Sequence, residues 1–338
     1  MKRTYSIIII FLYCVVIVNG QIINVKSKAV NPDDSVVIRL DDYRGDLQWQ
    51  DSADSITWKD IDNATLDTIL VVTDHTRWVR AIVTAGNCEP FISDILEIIV
   101  NPIVYGSVSD IDGNIYKTIT LGKQVWMAEN LRVTRYADGT QIPLVTDDIK
   151  WEELGDTARA YCWYNHDSVG YAQTFGALYT WAAATNSESD ETKPDGVQGA
   201  CPAGWHIPTD AEWSEFENYL IANGFNFDGS TTENKVGKSL ATNTGWEPDY
   251  TTGNVGNDLQ TNNISGFSAF PSHSRDPNNG FFIIWRPRCS WWSSTEYIVE
   301  DETFVYIRSL KHDRPDLYRV LGLKPSGFSI RCLKDSEN

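Results

Sequence analysis

The stretch that decides the fold is Cys201-Pro202-Ala203-Gly204-Trp205-His206-Ile207-Pro208-Thr209-Asp210-Ala211-Glu212-Trp213. Within it, Thr209 and Glu212 have the spacing of a capping box, in which each side chain accepts a hydrogen bond from the backbone N–H of the other residue. Apolar residues follow at helical spacing. The stretch therefore predicts a helix from about Asp210 to Ala222, which Gly224 ends.

Two further stretches accompany the first: Trp126-Met127-Ala128-Glu129-Asn130-Leu131 upstream, and Gly327-Phe328-Ser329-Ile330-Arg331-Cys332 near the C-terminus. Together the three stretches resemble the Fibrobacter succinogenes major paralogous (FISUMP) domain, a module of secreted bacterial proteins. The resemblance covers residues 107–335. It implies an α+β C-type-lectin-like domain, related to the fold of formylglycine-generating enzyme, and it says much less about activity.

The N-terminus predicts the cellular address. Two basic residues precede an apolar run from Ile7 to Val18, and the composition changes at Gln21. This order is typical of a secretory signal peptide, here residues 1–20, and the run is too short to span a membrane comfortably. Cys14 lies inside the apolar run after the bulky Tyr13, so a lipoprotein signal is the less expected alternative. We expect a secreted or cell-surface protein.

Residues 21–101 predict a separate all-β domain. Short β-rich runs alternate with turn signals and favour a β-sandwich with Trp49 in its core. The segment resembles the immunoglobulin-like modules of Bacteroidota surface proteins, although it lacks the cysteine pair of an antibody domain. Its simplest interpretation is a spacer that presents the next domain. The predicted strands are Val36 to Leu40, Leu47 to Gln50, Ile69 to Val72, Trp78 to Thr84 and Ile95 to Val100.

The charge excludes some partners. The formal net charge is -18, and a chain this acidic repels the phosphates of nucleic acids and the surface of anionic lipid. No later stretch is apolar enough to span a membrane. We therefore expect neither nucleic acid nor a membrane span after signal removal.

Inside the second domain, Asp110, Asp112 and Asn114 alternate like the start of a calcium loop, but Leu121 stands where a bidentate glutamate is needed. A hairpin turn is favoured over calcium. Good helix formers predict a buried helix over 175–184. The closing strands are predicted at Cys289 to Ser293, Phe304 to Leu310 and Phe328 to Leu333.

Five cysteines remain beyond residue 20, and an odd number in a secreted protein leaves at least one thiol free or paired between chains. In the folds that the chain resembles, the segments that carry Cys201 and Cys332 lie side by side, so the resemblance implies a disulfide between them. Cys162 and Cys289 are the second expected pair. Cys88 is then expected to be unpaired. Zinc is disfavoured, because no two cysteines have C-x₂₋₄-C spacing.

Catalysis would have to come from the resemblance to formylglycine-generating enzyme, whose chemistry needs two redox-active or copper-binding cysteines at neighbouring positions. This chain offers only Cys289 and Cys332 near the C-terminus, at the wrong spacing. Gly-x-Ser-x-Gly, His-Glu-x-x-His and glycine-rich phosphate motifs are absent from the sequence. No pattern singles out a glycosidase pair among the 46 acidic residues. We therefore expect no enzyme and no cofactor.

The candidate ligand residues lie in or beside the loop-rich region 223–279, where lectin-like folds carry their ligand-binding loop. Glu247-Pro248-Asp249 and Asp276-Pro277-Asn278 resemble the triplets in which a carboxylate and an amide flank a cis-proline and share calcium with a sugar. The same sequences are ordinary turn signals, and the Trp-Asn-Asp partner motif is absent. Calcium is therefore an alternative. Stacking of a sugar on Trp246 or Trp285 needs no metal.

The end of that region departs from the family pattern. The family often has glycines and an aromatic residue before an arginine, whereas this chain has Ser272-His273-Ser274-Arg275. Arg275 is kept as a candidate ligand residue, but a ligand geometry shared with the family is in doubt here.

Six sites match the Asp-Ser/Thr-aliphatic or small motif at which Bacteroidota O-glycosylate exported proteins. Four lie in the first domain, where bulky glycans would protect a stalk from proteolysis. We expect at least two to be modified. The candidate residues are Ser35, Ser52, Ser55, Thr68, Thr157 and Ser168.

These observations predict an exported, non-catalytic binding or adhesion protein. Its expected ligand is a glycan or an envelope or surface protein, presented to the loop-rich face of the C-terminal domain. A stalk followed by a loop-bearing tip is the organisation of adhesins. Two alternatives stay open: a structural subunit of a surface appendage or complex, and an enzyme with the fold of formylglycine-generating enzyme.

Overall fold

A computed structural model describes residues 27–30, 35–86, 88–100, 103–193, 196–283, 287–300 and 302–336. The predicted signal peptide lies outside these residues. The chain divides into two compact units, one containing Pro32–Val100 and the other containing Asn101–Asn338.

The N-terminal unit is built from β-strands in the residues described. Its larger sheet has the order β1-β8-β6-β3-β4, with β7 paired to β6, and β2 pairs with β5 in a second sheet. The strands are β1 (Ser27–Val30), β2 (Ser35–Arg39), β3 (Asp46–Ser52), β4 (Lys59–Asp60), β5 (Thr68–Val72), β6 (Arg77–Thr84), β7 (Phe91–Ile92) and β8 (Leu96–Val100).

Alternation of apolar side chains explains the larger sheet. In β6, Val79, Ala81 and Val83 are buried while the residues between them are more exposed, which is the period-2 pattern of a strand with one face on a core. Trp49 of β3 is fully buried, and its indole N–H donates to the Leu66 carbonyl at 2.8 Å. The prediction that Trp49 lies in the core is confirmed.

Within its described residues, the C-terminal unit contains three sheets, with orders β14-β18-β11-β10-β9, β12-β13 and β15-β16-β17. Its strands are β9 (Tyr105–Ser109), β10 (Ile115–Leu121), β11 (Gln124–Met127), β12 (Tyr161–Trp163), β13 (Ala177–Tyr179), β14 (Trp205–His206), β15 (Arg288–Val299), β16 (Glu302–Lys311), β17 (Tyr318–Gly322) and β18 (Leu333–Lys334). Its helices are α1 (Asp148–Glu152), α2 (Ser168–Phe175), α3 (Trp181–Thr185), α4 (Asp210–Ala222) and α5 (Gly237–Leu240). Two 3₁₀ turns cover Tyr164–His166 and Leu259–Thr261.

The predicted fold class, an α+β C-type-lectin-like domain after an immunoglobulin-like sandwich, is wrong. The structure is mostly β, with several small sheets and no clear C-type-lectin arrangement. Among the helices described, only α4 is longer than eight residues. The helix predicted over 175–184 is broken at Gly176, whose φ is 73° and whose Cβ position would clash with the Leu131 carbonyl. Strand β13 and the short α3 follow instead.

Helix α4 confirms the prediction made from the capping box. Both reciprocal hydrogen bonds between Thr209 and Glu212 are present, and Gly224 follows the helix end with φ 76°. Trp213 lies on the buried face of the helix, with its ring centroid 4.5 Å from that of Trp126. The contact joins the helix to strand β11.

Two of the three stretches singled out in the sequence, 126–131 and 327–332, meet around Arg331, and the disulfide between Cys201 and Cys332 joins the first stretch to them. Its buried guanidinium donates to Asn130 Oδ1 at 2.8 Å and to the carbonyls of Met127, Phe267 and Ser268. Burial lowers the pKa of Arg331 to about 10. Met127 N donates to the Cys332 carbonyl at 3.0 Å. We define the signature core as Arg331, Asn130 and the packed rings of Trp126, Trp213 and Phe267.

The cysteines follow the prediction only in part. Cys201 and Cys332 form a disulfide with a Cα–Cα distance of 5.9 Å, so this prediction is confirmed. The pairing of Cys162 with Cys289 is wrong, because both are free thiols buried in different hydrophobic clusters. Cys88 is disulfide-bonded, so the expectation that it is unpaired is also wrong.

Candidate functional site

Trp246 is not available for sugar stacking. The side chain is buried, packs in the same cluster as Trp213 and Phe267, and donates from its indole N–H to the Ala269 carbonyl at 3.2 Å. A ring in this position stabilises the core and offers no face to a ligand. Trp285, the other predicted stacking residue, lies outside the described residues.

The two proline triplets form turns closed by their own side chains. Asp249 Oδ1 accepts from Thr251 N at 2.8 Å and from Asn254 Nδ2 at 2.9 Å, and the first of these bonds holds the pKa of Asp249 below its usual value. Glu247 is exposed, with its carboxylate 3.8 Å from His312 Nε2. The turn thus occupies one of the Asp249 oxygens that a calcium ion would need.

The second triplet behaves in the same way. Asp276 Oδ1 accepts from the backbone N–H of Asn278 at 2.8 Å and from its side-chain amide at 3.1 Å. Neither proline of the triplets follows a cis peptide bond. Within the described ranges, no group of three or more His, Cys, Asp or Glu side chains is placed to hold a metal ion.

Arg275 anchors a loop and does not face a ligand. The side chain is fully buried, and its guanidinium donates to the carbonyls of Gly280 and Val145 at 2.7 Å each, and to Asp148 Oδ1 at 2.7 Å. It also lies over the Trp151 ring at 4.3 Å. This burial leaves Arg275 no exposed surface for a ligand, and its hydrogen bonds hold the loop that contains residues 270–283.

A group of aromatic rings, half of them in that loop, was not predicted from the sequence. Tyr164 is the hub, because its ring centroid lies 4.6 Å from that of His273, nearly parallel, and 5.0 to 5.3 Å from three other rings. All members are half-buried. We define the aromatic face as Tyr164, Tyr171, Phe175, Phe270, His273 and Phe282.

Local sequence places the first half of the aromatic face. Asp167 caps α2 by accepting from Gly170 N at 2.9 Å, and Tyr171 and Phe175 lie four residues apart, hence on one side of the helix. Their ring centroids are 5.0 Å apart. The short capped helix thus turns both rings toward Tyr164.

Three residues at or beside the aromatic face have left-handed backbone. Asn165, His166 and His273 have φ values of 51°, 59° and 62°, in a region that few residues adopt and that Asn and His adopt more often than most. Such conformations cost free energy and concentrate at ligand-binding and catalytic sites, where the surrounding structure holds them in place. His273 Nδ1 is also buried without a hydrogen-bond partner among the described residues.

The electrostatics of the face are close to neutral. Burial lowers the pKa values of both His166 and His273, and for His166 the charge of Arg275 lowers it further. Both imidazoles are therefore uncharged at neutral pH. A carboxylate beside the face belongs to Asp148, whose Oδ1 lies 3.6 Å from His166 Nε2 and accepts from Arg275 at 2.7 Å. The face offers ring surfaces, imidazole nitrogens and one carboxylate.

The predicted glycosylation sites differ in exposure. Ser52 is buried and its hydroxyl donates to Asp54 Oδ1 at 2.9 Å, so this site is closed. The side chain of Ser35 lies outside the described residues. The other four are exposed, and they are Ser55, Thr68, Thr157 and Ser168.

Comparison with family models identifies the C-terminal unit. Residues 119–334 match the model of the Fibrobacter succinogenes major domain. The chain belongs to this family. Membership indicates a surface-associated or secreted protein. Residues 19–102 match a model described only as a domain of unknown function.

Two further findings complete the comparison. None of the curated proteins compared with the chain matches it. In the part of the chain that the structure describes, no helix combines the length and apolar character that a membrane crossing requires.

Proposed function

We propose that this protein is exported, is not an enzyme, and binds a glycan at its aromatic face. The observation that carries the proposal is the cluster around Tyr164, in which half-buried rings pack beside left-handed backbone at Asn165, His166 and His273. Aromatic rings that are held rigidly and left partly open are costly for stability alone. A bound ligand that covers them offsets that cost.

A sugar fits the chemistry of the face. The apolar C–H side of a pyranose stacks on rings such as Tyr164 and Phe282, while its hydroxyls need hydrogen-bonding groups at the edge. The uncharged imidazole of His166 and the carboxylate of Asp148 supply such groups. An anionic ligand gains little here, because the protein is strongly acidic.

An envelope or surface protein is the second candidate ligand. Two apolar side chains near the face in sequence, Val169 and Phe281, are 96% and 60% exposed. Apolar side chains exposed to this degree beside an aromatic cluster are typical of protein interfaces. They have no obvious use in binding one sugar ring.

The absence of catalysis is part of the proposal. Burial raises the pKa of the Cys162 thiol to about 12 and raises that of Cys289 as well, so neither thiol ionises at neutral pH. Cys332 is committed to a disulfide. Neither the buried thiols nor the disulfide supplies the reactive thiolate that cysteine catalysis needs.

A glycan array and an envelope pull-down test the proposal together. We expect the full chain to bind a defined set of glycans, and Phe282→Ala to reduce binding at least tenfold, because it removes one stacking surface. Tyr250→Ala is the matched control, since Tyr250 is 97% exposed and lies outside the face. Binding to envelope protein but to no glycan would favour the second candidate.

Chelation separates the metal hypothesis from the aromatic one. If EDTA abolishes all glycan binding and Phe282→Ala does not, calcium at a proline triplet replaces the aromatic face as the binding site. Equal binding by wild type, Phe282→Ala and Tyr250→Ala would refute the aromatic face for every ligand tested.

A further inference from the structure

A cavity in the C-terminal unit shares no residue with the aromatic face. Its volume is about 260 Å³. The wall comes from the loop before β12, from α3 and the segment after it, from β15 and from the residue two positions after β17. The lining residues are Asp156, Thr157, Trp181, Ala182, Ser187, Ser189, Thr192, Glu296 and Lys324.

The charges in the cavity are largely balanced. Lys324 Nζ donates to Glu296 Oε1 at 2.5 Å and lies 4.5 Å from the centroid of the Trp181 ring. The two charges of this pair therefore compensate each other. Asp156 is the remaining carboxylate, and among the described residues it has no ion-pair or hydrogen-bond partner. The cavity thus holds one free acceptor group with room around it.

The wall is rigid and rich in hydroxyls. Ser187 follows Asn186, and the two residues have φ values of 65° and 57°, so the chain turns sharply after α3. Arg159 braces this turn by donating to Ser187 Oγ at 3.4 Å and to the Asn186 carbonyl at 3.3 Å. Thr192 closes the next turn onto Ser189. Hydroxyls held by such turns are already in position before a ligand arrives.

Buried polar atoms behind the wall are also unusual. Asn186 Oδ1, Asp190 Oδ1 and Ser294 Oγ have no hydrogen-bond partner among the described residues. Asn186 and Asp190 adjoin the lining residues Ser187 and Ser189, and Asp190 N donates to the Ser294 carbonyl at 3.3 Å. Unsatisfied buried polar groups are rare in folded proteins, so three of them close together in sequence or contact suggest a hydrogen-bonding partner from outside the chain, such as water or a ligand.

The geometry points to a binding site for one neutral sugar residue in this cavity. The volume is below the usual range for drug-sized ligands, so it suits a single ring and excludes a folded chain segment. A free carboxylate such as Asp156 accepts hydrogen bonds from two adjacent hydroxyls of a sugar. The Lys324–Glu296 pair is already neutral and gives an anion no unpaired cation to bind.

Ligand-observed saturation-transfer NMR on the full chain tests this site, with free glucose, galactose, mannose and N-acetylglucosamine as probes at millimolar concentration. We expect at least one of them to give a signal. Asp156→Asn should weaken binding about tenfold, because a charged hydrogen-bond acceptor is lost. Thr157→Arg, at an exposed position on the rim, should abolish it by filling the entrance.

Asp313→Asn is the matched control, since it makes the same change of charge at an exposed residue outside the cavity lining. No signal from any of the four sugars, or equal signals from wild type, Asp156→Asn and Thr157→Arg, would overturn the assignment. The test is independent of the aromatic face, because Phe282→Ala should leave the cavity signal unchanged. If Phe282→Ala alone loses the signal, the sugar binds at the aromatic face and not in the cavity.

Discussion

The signature core and the aromatic face are both built from aromatic side chains, but these differ in burial. In the core, Trp126, Trp213 and Phe267 are fully buried and lie on or against regular elements. In the face, the rings are half-buried, with Tyr164 in a 3₁₀ turn, Tyr171 and Phe175 on helix α2, and Phe282 in the loop that Arg275 holds. The comparison shows that the type of side chain does not decide its role: complete packing by other rings makes an aromatic residue core, and incomplete packing leaves it at the surface.

The largest expected effect on stability comes from removing the disulfide between Cys201 and Cys332. Replacing either Cys201 or Cys332 by serine should lower the free energy of unfolding by about 4 to 5 kcal/mol, because the disulfide closes a long loop. Urea denaturation of both single variants and the double variant measures this. All three should lose the same amount, since one bond is lost in each. Additive losses would mean that the thiols stabilise the core separately.

A matched pair of phenylalanine substitutions compares the two regions directly. Phe267→Ala should cost about 3 to 5 kcal/mol, because it opens a cavity in a fully buried cluster. Phe282→Ala should cost only about 1 kcal/mol while it weakens glycan binding. Chemical denaturation and binding are measured on both variants. If Phe282→Ala destabilises the protein as much as Phe267→Ala, the aromatic face is part of the core.

Two histidines should respond to pH in opposite directions. His206 is bound by Asp335 Oδ1 at 2.7 Å and by Glu212 Oε1 at 3.0 Å. Burial alone would lower the pKa of His206, but the bonds and charges of Glu212 and Asp335 outweigh it and raise the pKa. Its contribution to stability is therefore full below the unfolded pKa of about 6.5 and is lost as pH rises through the folded value. His273 has a pKa lowered by burial, so its contribution is full above about pH 6.5 and is lost as pH falls.

Denaturation at pH 5.5 and pH 8 checks the signs. His206→Gln should remove about 1 kcal/mol at the lower pH and less at the higher one. His273→Asn should do the reverse, and asparagine tolerates the positive φ at this position. The two variants control for each other, and slopes of the same sign would contradict the assignment of one histidine to each environment.

The smallest effect on stability is expected from glycosylation of the N-terminal unit. Ser55 and Thr68 are exposed and distant from both regions in sequence, so modification should leave unfolding unchanged. The intact mass of the protein secreted by its native host should exceed the mass of the bare chain from Gln21 onward. The excess should fall in Ser55→Ala and Thr68→Ala. A mass equal to the bare chain would rule modification out.

Predictions from sequence succeeded where the physical signal is local. The capping box of α4 needs only four residues, and the alternation around Trp49 needs only one strand. The break at Gly176 was missed because it depends on the close approach of the Leu131 carbonyl, which is distant in sequence. Arg275 was misread for a similar reason, since the carbonyls that bury its charge come from two separate segments.

The aromatic face was missed because its members come from two segments about a hundred positions apart along the chain. A signal was present in the sequence, since Tyr164, Tyr171 and Phe175 are spaced so that a short helix and a turn can bring them together. Nothing local, however, shows that Phe282 completes the group.

The disulfide between Cys201 and Cys332 also decides how the protein carries a mechanical load. The two cysteines are 131 positions apart. A pulling force applied at the C-terminal end therefore passes from Cys332 directly to Cys201, and the residues between them stay out of the force path. Fully extended, that segment would span about 450 Å, a length that the chain gains under tension only after reduction. Helix α4, Phe270, His273 and Phe282 all lie within the shielded segment. A surface protein built in this way holds half of its aromatic face outside the line of tension.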